Sequence, residues 1–421
     1  MSEQPHVVIL GGGFGGLEAA KKLEDADCTI TLVDRNNHHL FQPLLYQVAT
    51  AGLSQPEIAS PIRSELRTGH NTSIRMDEVT AVDLPNRTVK LKKGDISYDF
   101  LVIALGAENG YFGNDHWADY TLGLKSLDQA IAIRRNVLYA YEKAEMCADP
   151  EEQKRLMTTV VVGGGPTGVE MAGALIELAR HVINRDFRNI DPLETRVILI
   201  EASPKILGQF SDPLPEKAKK ALEEMGVEVR VNTPVKDIRE GEVILENETI
   251  QATSIIWGAG VQAPKLTRDM DVPLDRGGRI LIEPDCSLPS HPNVFAIGDI
   301  VSLTDARGKR VPGVSPAAIQ MGDYVAEIIR REVASGEKSR RTPFVYFDKG
   351  SMATIGRSQA IAELGPMKMT GFLAWLMWLA VHLLFLIGFR NKVAVLVQWF
   401  YAYIRYKHGA RIITGLQTDP A

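Results

Sequence analysis

Two glycine-rich segments of this 421-residue chain have the spacing that binds a dinucleotide. Residues 11–16 (the first fingerprint) and 163–168 (the second fingerprint) follow the pattern Gly-x-Gly-x-x-Gly, and the next apolar run ends in Asp34 or Glu201, respectively. The first glycine permits a tight turn, the second lets a pyrophosphate approach the backbone, and the third lets a helix pack on a strand. The helix N-terminus offers N–H groups and a partial positive charge to the phosphates. An acid after the second strand binds ribose hydroxyls and repels a 2′-phosphate, which favours NADH over NADPH at the second fingerprint.

The same order of elements surrounds both fingerprints. Apolar, β-branched runs at residues 6–10 and 159–162 precede the glycines, and good helix formers follow them. The helix after the second fingerprint is predicted to run from Val169 to about Arg180. Further apolar runs, at residues 29–33 and 196–200, lead to the two acids. This repetition predicts an α/β fold with two Rossmann-like dinucleotide-binding domains.

Composition limits the other classes of function. The length suits two or three domains, and a net charge of −5 gives no field that attracts nucleic acid. Cys28, Cys147 and Cys286 lie far apart and outside any Cys/His cluster, so we expect neither disulfides nor a metal site. No basic region followed by a cleavable apolar stretch begins the sequence, so we expect no signal or transit peptide.

A third element adds to the two fingerprints. Residues 293–299 form an apolar run that ends in Gly-Asp, and residues 101–107 form a similar run earlier. Together these features resemble the glutathione-reductase-like flavoproteins with two dinucleotide-binding domains. In that family the first fingerprint holds FAD, the late Gly-Asp pair contacts its ribityl and phosphate groups, and the second fingerprint holds NAD(P)H. The resemblance implies FAD contacts at Gly11, Gly13, Phe14, Gly15, Gly16, Asp34, Arg35, Gly106, Asp299 and Ala317, and NADH contacts at Gly163, Gly165, Pro166, Thr167, Gly168, Glu201 and Gly258.

Five segments outside the generic motifs add a closer resemblance. They are residues 41–49 (FQPLLYQVA), 164–170 (GGPTGVE), 257–260 (WGAG), 348–353 (DKGSMA) and 388–392 (GFRNK). In combination they resemble the type II NADH dehydrogenases, which are single-subunit, non-pumping NADH:quinone oxidoreductases, and the resemblance extends from about residue 6 to residue 412. It implies hydride transfer from NADH to FAD and then transfer of two electrons to a membrane quinone. One departure is Pro316, which replaces the first glutamine of the usual quinone-site motif, whereas Gln320 retains the second.

Three side chains are candidates for chemistry under this resemblance. Glu170 is expected in the first turn of its helix as a gate or proton-handling group beside the nicotinamide and quinone sites, or else as an acid that offsets the helix dipole. Lys349 either places a positive charge near the flavin or the quinone oxygen, or is an ordinary surface lysine. Gln320 either offers its amide to the quinone headgroup or is an ordinary polar helix residue. Pro316 is predicted to start a helix, whose N-terminus near Ala317 is implied to point at the pyrimidine end of the flavin.

The C-terminal residues combine apolar, aromatic and basic character. Residues 366–421 contain six Lys or Arg and one acid, and residues 372–389 contain no charged side chain other than a titratable histidine. That stretch is barely long enough to span a bilayer, whereas interleaved Trp, Tyr, Arg and Lys suit a membrane surface. We therefore predict a C-terminal membrane-anchoring helical segment on an anionic membrane surface. A true span and a buried helix or homodimer contact are the alternatives. The positive charges favour the cytoplasmic face of the bacterial inner membrane.

Four segments are expected along the chain. These are residues 1–112 and 259–335 for the FAD-binding domain, 113–258 for the NADH-binding domain, and 336–421 for the quinone-site and membrane-anchoring region. An exposed linker is expected at residues 334–341.

Two other functions stay open on the sequence. A sulfide:quinone reductase shares this fold but needs two cysteines near the flavin, and no convincing pair can be named here. A non-catalytic, nucleotide-dependent redox sensor would bind FAD but oxidise little NADH.

Overall fold

The computed structural model describes residues 4–405 and 409–415 of the chain. These residues form two compact units. The first unit contains residues up to 40, residues 59–108 and residues 261–349, and the second contains residues 41–58, residues 109–260 and the residues from 350 onward. Each unit is therefore assembled from segments that are distant in the sequence.

A six-stranded sheet is the centre of the first unit. In order across the sheet its strands are Ser287–Leu288, His291–Ala296, Phe100–Ile103, His6–Leu10, Thr29–Asp34 and Thr72–Met76. All neighbouring strands are parallel except the first pair, which is antiparallel. Val7 pairs with Ile30 on one side and with Phe100 on the other, so Leu10 and Val33 end side by side. Ligands of open α/β sheets bind at this carboxyl edge.

Two helices of the first unit pack against each other, the first glycine helix (Phe14–Lys22) and the late helix (Ser315–Ser335). Gly322 makes the close approach possible, because a Cβ there would collide with the carbonyl oxygen of Gly15. Pro316 lies in the first turn of the late helix, which confirms the predicted helix start. The other elements are the strands His38–Leu40, Ala59–Pro61, Val79–Asp83, Thr88–Leu91, Gly94–Ser97, Ile280–Leu281 and Val301–Ser302, the short helix Ile62–Glu65, and the 3₁₀ helices Lys265–Asp269 and Gly298–Ile300.

A five-stranded parallel sheet is the centre of the second unit. In order its strands are Leu122–Gly123, Ser254–Trp257, Thr158–Val162, Arg196–Ile200 and Glu228–Arg230. Val160 and Ile198 are fully buried, as expected for parallel strands covered on both faces.

Helices and a small antiparallel sheet complete the part of the second unit that surrounds the five-stranded sheet. The helices are Leu45–Ala49, Gln55–Ile58, Leu127–Met146, Pro150–Leu156, Pro166–Glu177 and Leu214–Met225, with 3₁₀ helices Gln42–Leu44, Asp115–Asp119 and Pro192–Glu194 and a π-helical turn Leu178–Val182. The small sheet contains Asp237–Arg239, Glu242–Ile244 and Thr249–Gln251. The two-residue strands Glu108–Asn109 and Val261–Gln262 lie where the chain passes from one unit to the other.

The second glycine helix (Pro166–Glu177) begins three residues earlier than predicted. Pro166 is favourable at a helix start, where its missing N–H has no intrahelical partner. Glu170 consequently lies in the second turn, and the first turn contains no acid. The expectation of a first-turn Glu170 is therefore wrong. Its alternative role, offsetting the helix dipole, loses its basis because that effect fades beyond the first turn.

A three-stranded antiparallel sheet and two helices end the second unit. The C-terminal sheet contains Ser351–Gly356, Gln359–Leu364 and Met367–Thr370, and the tail helices are Gly371–Phe385 and Phe389–Arg405. Gly173 lets the second glycine helix approach the C-terminal sheet, because a Cβ there would collide with the carbonyl oxygen of Ile355. Trp378 of the first tail helix is only 1% exposed, so part of this helix belongs to the core of the unit.

The tail helices are short. Within residues 4–405 and 409–415, no helix combines the length and the apolar character needed to cross a membrane. Lys407 and Asp419, which contribute to the charge of the C-terminal residues, lie outside the described residues.

Arg341, the last residue of the predicted linker, is anchored to two acids of the first unit. The guanidinium of Arg341 contacts Glu332 at 2.8 Å and Asp285 at 3.0 Å, and its side chain is only 5% exposed. The expectation of an exposed linker is therefore wrong at Arg341, because two acids compensate the buried charge. The compact units group residues 336–349 with the first unit and residues 41–58 with the second. The predicted domain limits stay a prediction.

Candidate functional site

The outer glycines of the first fingerprint are required by the fold itself. Gly11 has φ +100°, which a side chain rarely tolerates. A Cβ at Gly16 would collide with the carbonyl oxygen of Gly11. The turn and the helix packing therefore both depend on glycine, as the pattern predicts.

The second fingerprint repeats this construction. Gly163 has φ +111°, and a Cβ there would lie 2.6 Å from the backbone nitrogen of Ala259. A Cβ at Gly168 would collide with the carbonyl oxygen of Gly163, and Gly258 packs against Gly168. The two loops are therefore equivalent in local structure, although they lie in different units.

The middle glycines, Gly13 and Gly165, have a different reason to be glycine. Both have φ −72°, which any residue adopts, and a Cβ at either position would meet no atom within 4 Å. Neither backbone strain nor packing therefore requires glycine here. A ligand that approaches the backbone does require it, since a pyrophosphate needs the space that a side chain would fill. The residues present thus fit a dinucleotide at each loop.

Each predicted acid braces its own glycine loop. Asp34 accepts hydrogen bonds from the backbone N–H groups of Gly12 (2.6 Å) and Asn36 (2.7 Å). Glu201 does the same with Gly164 (2.6 Å) and Ser203 (2.7 Å). Burial raises the pKa of Asp34, and the two N–H groups partly oppose that increase. Arg35, which follows Asp34, is exposed.

Two other predicted FAD residues, Asp299 and Ala317, lie around the start of the late helix. Asp299 lies in the 3₁₀ helix Gly298–Ile300, and a Cβ at Gly298 would touch the Cβ of Ala318 at 3.4 Å. A Cβ at Gly15 would lie 3.0 Å from the carbonyl oxygen of Ala318, and the neighbouring Ala317 is buried. The first unit therefore brings Gly15, Asp299 and Ala317 to one place. Gly106 follows the strand Phe100–Ile103 and has φ +70°.

Remaining fingerprint residues differ in exposure. Phe14 begins the first glycine helix and packs edge-on against His39, with ring centroids 4.9 Å apart. Pro166 is half-buried and Thr167 is exposed at the start of the second glycine helix.

Gln320 fixes the backbone of Phe347 through two hydrogen bonds. Its Nε2 donates to the carbonyl oxygen of Phe347 (3.0 Å), and its Oε1 accepts from the N–H of Phe347 (2.9 Å). Lys349 is exposed two residues further on, at the end of the first unit. The structure therefore connects two of the predicted residues, Gln320 and Lys349, through one short segment.

Glu170 lies in an environment that favours its neutral form. Its side chain retains some exposed area, but protein surrounds its carboxyl group, and burial raises its pKa to about 8. Two groups partly oppose this shift: the Thr354 N–H, 3.3 Å from Oε1, and the indole of Trp378. The Trp378 nitrogen is itself buried without a hydrogen bond of good geometry among the described residues. Glu170 therefore holds a proton near neutral pH.

Sequence reasoning missed several residues that shape these sites. His39 is buried, bonds the carbonyl oxygen of Gly12 through Nδ1 (2.9 Å), and has a pKa lowered by burial, so it braces the first fingerprint as a neutral ring. Gln47 bridges the Tyr46 hydroxyl (2.9 Å) and the Trp399 indole (2.7 Å). Tyr46 and Gln47 lie in the run FQPLLYQVA, but nothing in that run indicates which side chains are buried.

The cysteines do not form a reactive pair. Cys28 and Cys286 are buried free thiols in the first unit, and Cys147 belongs to the second. Burial raises the pKa of Cys28 to about 11 and also raises that of Cys286. Reactive cysteines need a lowered pKa. No observation therefore favours the sulfide:quinone reductase alternative.

Comparisons with known proteins agree with this geometry. Residues 5–322 match the family model of pyridine nucleotide-disulphide oxidoreductases, and residues 349–406 match the NDH2 C-terminal domain. The type II NADH:quinone oxidoreductase Ndh of Mycobacterium tuberculosis is 44% identical over 98% of this chain and 90% of its own length. An internal alternative NAD(P)H-ubiquinone oxidoreductase of Arabidopsis thaliana mitochondria is 31% identical over 97% of this chain and 86% of its own length.

Solved structures show the same fold. NDH2 from Plasmodium falciparum in complex with NADH has a TM-score of 0.89 at 19% identity, covering 98% of this chain and all of that chain. The sulfide:quinone oxidoreductase of Aquifex aeolicus has a TM-score of 0.70 at 20% identity, covering 92% of both chains. At these identities the likeness concerns the fold alone.

The two glycine loops and the matched family model define the class: the chain belongs to the pyridine nucleotide-disulphide oxidoreductase family. Within it, the identity to the mycobacterial protein and the matching C-terminal domain place the chain among the type II NADH:quinone oxidoreductases. This confirms the family that the sequence resembles.

Proposed function

We propose that the chain binds FAD at the first fingerprint and NADH at the second, and reduces a membrane quinone. As a member of the type II family, the chain transfers electrons from NADH to a quinone. The observation that carries the binding proposal is the pair of open glycines, Gly13 and Gly165, which neither the turn nor the packing requires and which the approach of a pyrophosphate explains. When bound, FAD supplies a carrier that links a two-electron donor to a quinone acceptor.

The first unit supplies the residues that would hold FAD. The backbone of residues 11–16 and the N-terminus of the first glycine helix would hold the pyrophosphate, and Asp34 would accept hydrogen bonds from the ribose. Asp299 and the start of the late helix, at Ala317, would hold the remainder of the cofactor. Their proximity to Gly15 supports this assignment.

Glu201 is proposed to select NADH. Its carboxylate lies at the end of the strand Arg196–Ile200 beside the second fingerprint. A carboxylate there accepts hydrogen bonds from ribose hydroxyls and repels the phosphate of NADPH.

Lys349 is proposed to stabilise the negative charge that develops on the quinone oxygen. Gln320 is proposed to be a positioning residue for the segment that carries Lys349, because its amide is already bonded to the backbone of Phe347. A segment fixed at Phe347 restricts where the Lys349 ammonium is presented.

Glu170 is proposed to hold the proton that the reduced quinone needs. Its pKa of about 8, raised by burial, keeps it protonated at neutral pH. A general acid works best when its pKa is near the operating pH.

The tail helices are proposed to bind an anionic membrane surface, at the cytoplasmic face of a bacterial inner membrane. Several large apolar side chains of both helices are exposed, including Leu384, Phe389 and Phe400. Arg390 lies beside them, and basic groups next to apolar ones suit an anionic interface. A homodimer stays a prediction.

Steady-state turnover tests the proposed function. The purified protein is mixed with a soluble quinone analogue and either NADH, NADPH or sulfide. We expect FAD in the purified protein and quinone reduction with NADH well above that with NADPH or sulfide. Sulfide as the preferred donor would support the sulfide:quinone reductase alternative. Bound FAD with negligible turnover would support the redox sensor.

A further inference from the structure

Two carboxyl groups of the second glycine helix face the C-terminal sheet. Glu170 and Glu177 are seven residues apart, which puts them on one helix face two turns apart. Glu170 accepts the N–H of Thr354 (3.3 Å) and Glu177 accepts the N–H of Arg357 (2.5 Å). Gly173 lies between them and brings the helix against Ile355. The two acids are therefore held at fixed positions along one seam.

Both acids titrate near neutral pH. Burial raises the pKa of Glu170 to about 8 and that of Glu177 to about 7. Hydrogen bonds from the strand partly oppose both shifts, and the Arg357 charge also lowers that of Glu177. The groups that oppose the shift at Glu170 are uncharged, whereas Glu177 gains partial compensation from the Arg357 charge.

Tyr46 lies near both acids. The helix Leu45–Ala49 packs on the second glycine helix, and Tyr46 is buried there. Its pKa is raised well above its usual value, first by burial and then by the charges of Glu170 and Glu177, so its hydroxyl lies within electrostatic range of both acids. That hydroxyl accepts from Gln47 (2.9 Å), which leaves its own proton available to donate.

Glu177 is the last residue of the second glycine helix. The charge that acts on its carboxyl group is that of Arg357, which follows the strand Ser351–Gly356, and Arg357 also acts on His181 of the π-helical turn Leu178–Val182. His181 is exposed, and Arg357 stacks on Tyr403 at 4.2 Å. The Glu177 end of the seam therefore adjoins charged side chains, and one of their neighbours, His181, is exposed.

We propose that Glu177 is a proton-loading residue, which returns a proton to Glu170 through the Tyr46 hydroxyl and water after each quinone reduction. The Cα atoms of the two acids are about 10 Å apart along the helix, too far for direct transfer. This inference rests on the proposed role of Glu170. It adds Glu177 and Tyr46 as the residues that return a proton to Glu170.

The overall reaction requires this supply. NADH, one proton and quinone give NAD⁺ and quinol, so each turnover takes one proton from solution. A Glu170 O–H bond breaks as a quinol O–H bond forms. Tyr46 then gives its proton to Glu170 while it receives one that started on Glu177, and Glu177 takes a proton from solvent. No electrons move in the refilling steps.

The experiment compares two acceptors on the same holoenzyme. A soluble quinone needs protons, whereas ferricyanide accepts single electrons and needs none. The variants are Glu177→Gln, Glu177→Asp and Tyr46→Phe. The control is Glu145→Gln, which alters a carboxylate of the same unit that accepts the backbone N–H groups of Arg188 and Asn189.

We expect Glu177→Gln and Tyr46→Phe to lower quinone turnover at least tenfold. NADH:ferricyanide turnover and the KM for NADH should stay within twofold of wild type. The solvent deuterium isotope effect on quinone turnover should increase in both variants. Glu177→Asp should recover part of the loss, and Glu145→Gln should behave as wild type.

Two results would overturn the proposed proton path from Glu177 through Tyr46 to Glu170. One is quinone turnover within twofold of wild type in Glu177→Gln. The other is an equal loss of quinone turnover and ferricyanide turnover in that variant. If Glu177→Gln does not fold, Glu177→Asp and Tyr46→Phe give the same comparison. Wild-type enzyme that reduces ferricyanide but not quinone would overturn the proposed function itself. That result can be told apart from a failure of the proton path, because it is obtained with the wild-type enzyme alone.

Discussion

Glu170 and Glu201 lie in the same unit, yet their surroundings give two carboxyl groups different chemistry. Glu201 ends a strand and accepts two backbone N–H groups beside the second fingerprint. Glu170 is enclosed by protein, and burial raises its pKa to about 8. We propose that Glu201 accepts hydrogen bonds from a ligand and that Glu170 holds a proton.

Replacing Glu201 with serine tests nucleotide selection. Removing the charge that repels a 2′-phosphate should narrow the ratio of kcat/KM for NADH over NADPH by about tenfold, which corresponds to about 1.4 kcal/mol. The control is Glu246→Ser, which removes an exposed charge paired with Lys236. An unchanged ratio in Glu201→Ser would refute the assignment.

Replacing Glu170 with glutamine tests proton supply. Because its pKa is about 8, Glu170 keeps its proton below that pH and loses it above. Wild-type quinone turnover should therefore be level up to about pH 8 and decline at higher pH. Glu170→Gln should lower turnover by about 100-fold and abolish that decline. Turnover measured from pH 6 to pH 9.5 checks this, and an identical decline in the variant would count against Glu170.

Single residues were predictable where geometry is local. The spacing of the fingerprints identified Asp34 and Glu201 because the strand, the turn and the acid follow one another in the sequence. Gln320 was harder, because its partner Phe347 lies 27 residues away and bonds through its backbone. The enclosure of Glu170 also depends on Thr354 and Trp378, which no local pattern relates to it.

At the scale of elements, the glycine loops separate folding from binding. Gly11, Gly16, Gly163 and Gly168 serve the turn and the packing, whereas Gly13 and Gly165 serve neither. Substitutions at the two kinds of position should therefore differ in their effect on stability.

Gly165→Ala and Gly13→Ala form a matched pair. The added methyl meets no protein atom in either case, so the free energy of unfolding without ligand should change by less than about 1 kcal/mol. Gly165→Ala should raise the KM for NADH at least tenfold with FAD content unchanged, whereas Gly13→Ala should lower FAD content. Unfolding curves, FAD absorbance and kinetics measure these effects. Normal nucleotide affinity in both variants would show that no ligand approaches these loops.

The buried parallel strands were predictable because continuous apolar, β-branched runs have few other uses. The second glycine helix starts at Pro166 and not at the predicted Val169, because the glycine pattern assigns Pro166 to the turn whereas in the structure it is the first helical residue. The grouping of residues 41–58 with the second unit depends on long-range packing, such as that of Leu45–Ala49 on the helix Leu127–Met146.

At the scale of the whole molecule, exposed apolar side chains concentrate in the tail helices. They include Phe372, Leu373, Leu376, Leu384, Phe385, Phe389, Val393, Leu396, Val397, Phe400, Tyr401, Tyr403 and Ile404. Such a concentration of exposed apolar side chains is typical of a binding face. Deleting residues 366–421 would also remove Trp378 from the core and one strand of the C-terminal sheet, so substitutions are the cleaner test.

The triple variant Leu384→Ser, Phe389→Ser and Phe400→Ser should release the protein from anionic lipid vesicles. These side chains are 72%, 83% and 67% exposed, so folding should be little affected. Burying each in a membrane contributes about 2 kcal/mol, and we expect at least a tenfold loss of binding in sedimentation assays. The control is Phe112→Ser with Met146→Ser, two equally exposed apolar residues outside the tail. Equal binding by the triple variant and wild type would exclude this face.

Anaerobic spectroscopy of the purified holoenzyme tests the central claim, that one chain carries a flavin site and a separate NADH site and passes electrons to quinone. We predict that stoichiometric NADH bleaches the visible absorbance of the oxidised flavin and that a soluble quinone then restores it. Protein that purifies without flavin and does not take it up, or flavin that NADH leaves oxidised, would contradict the account.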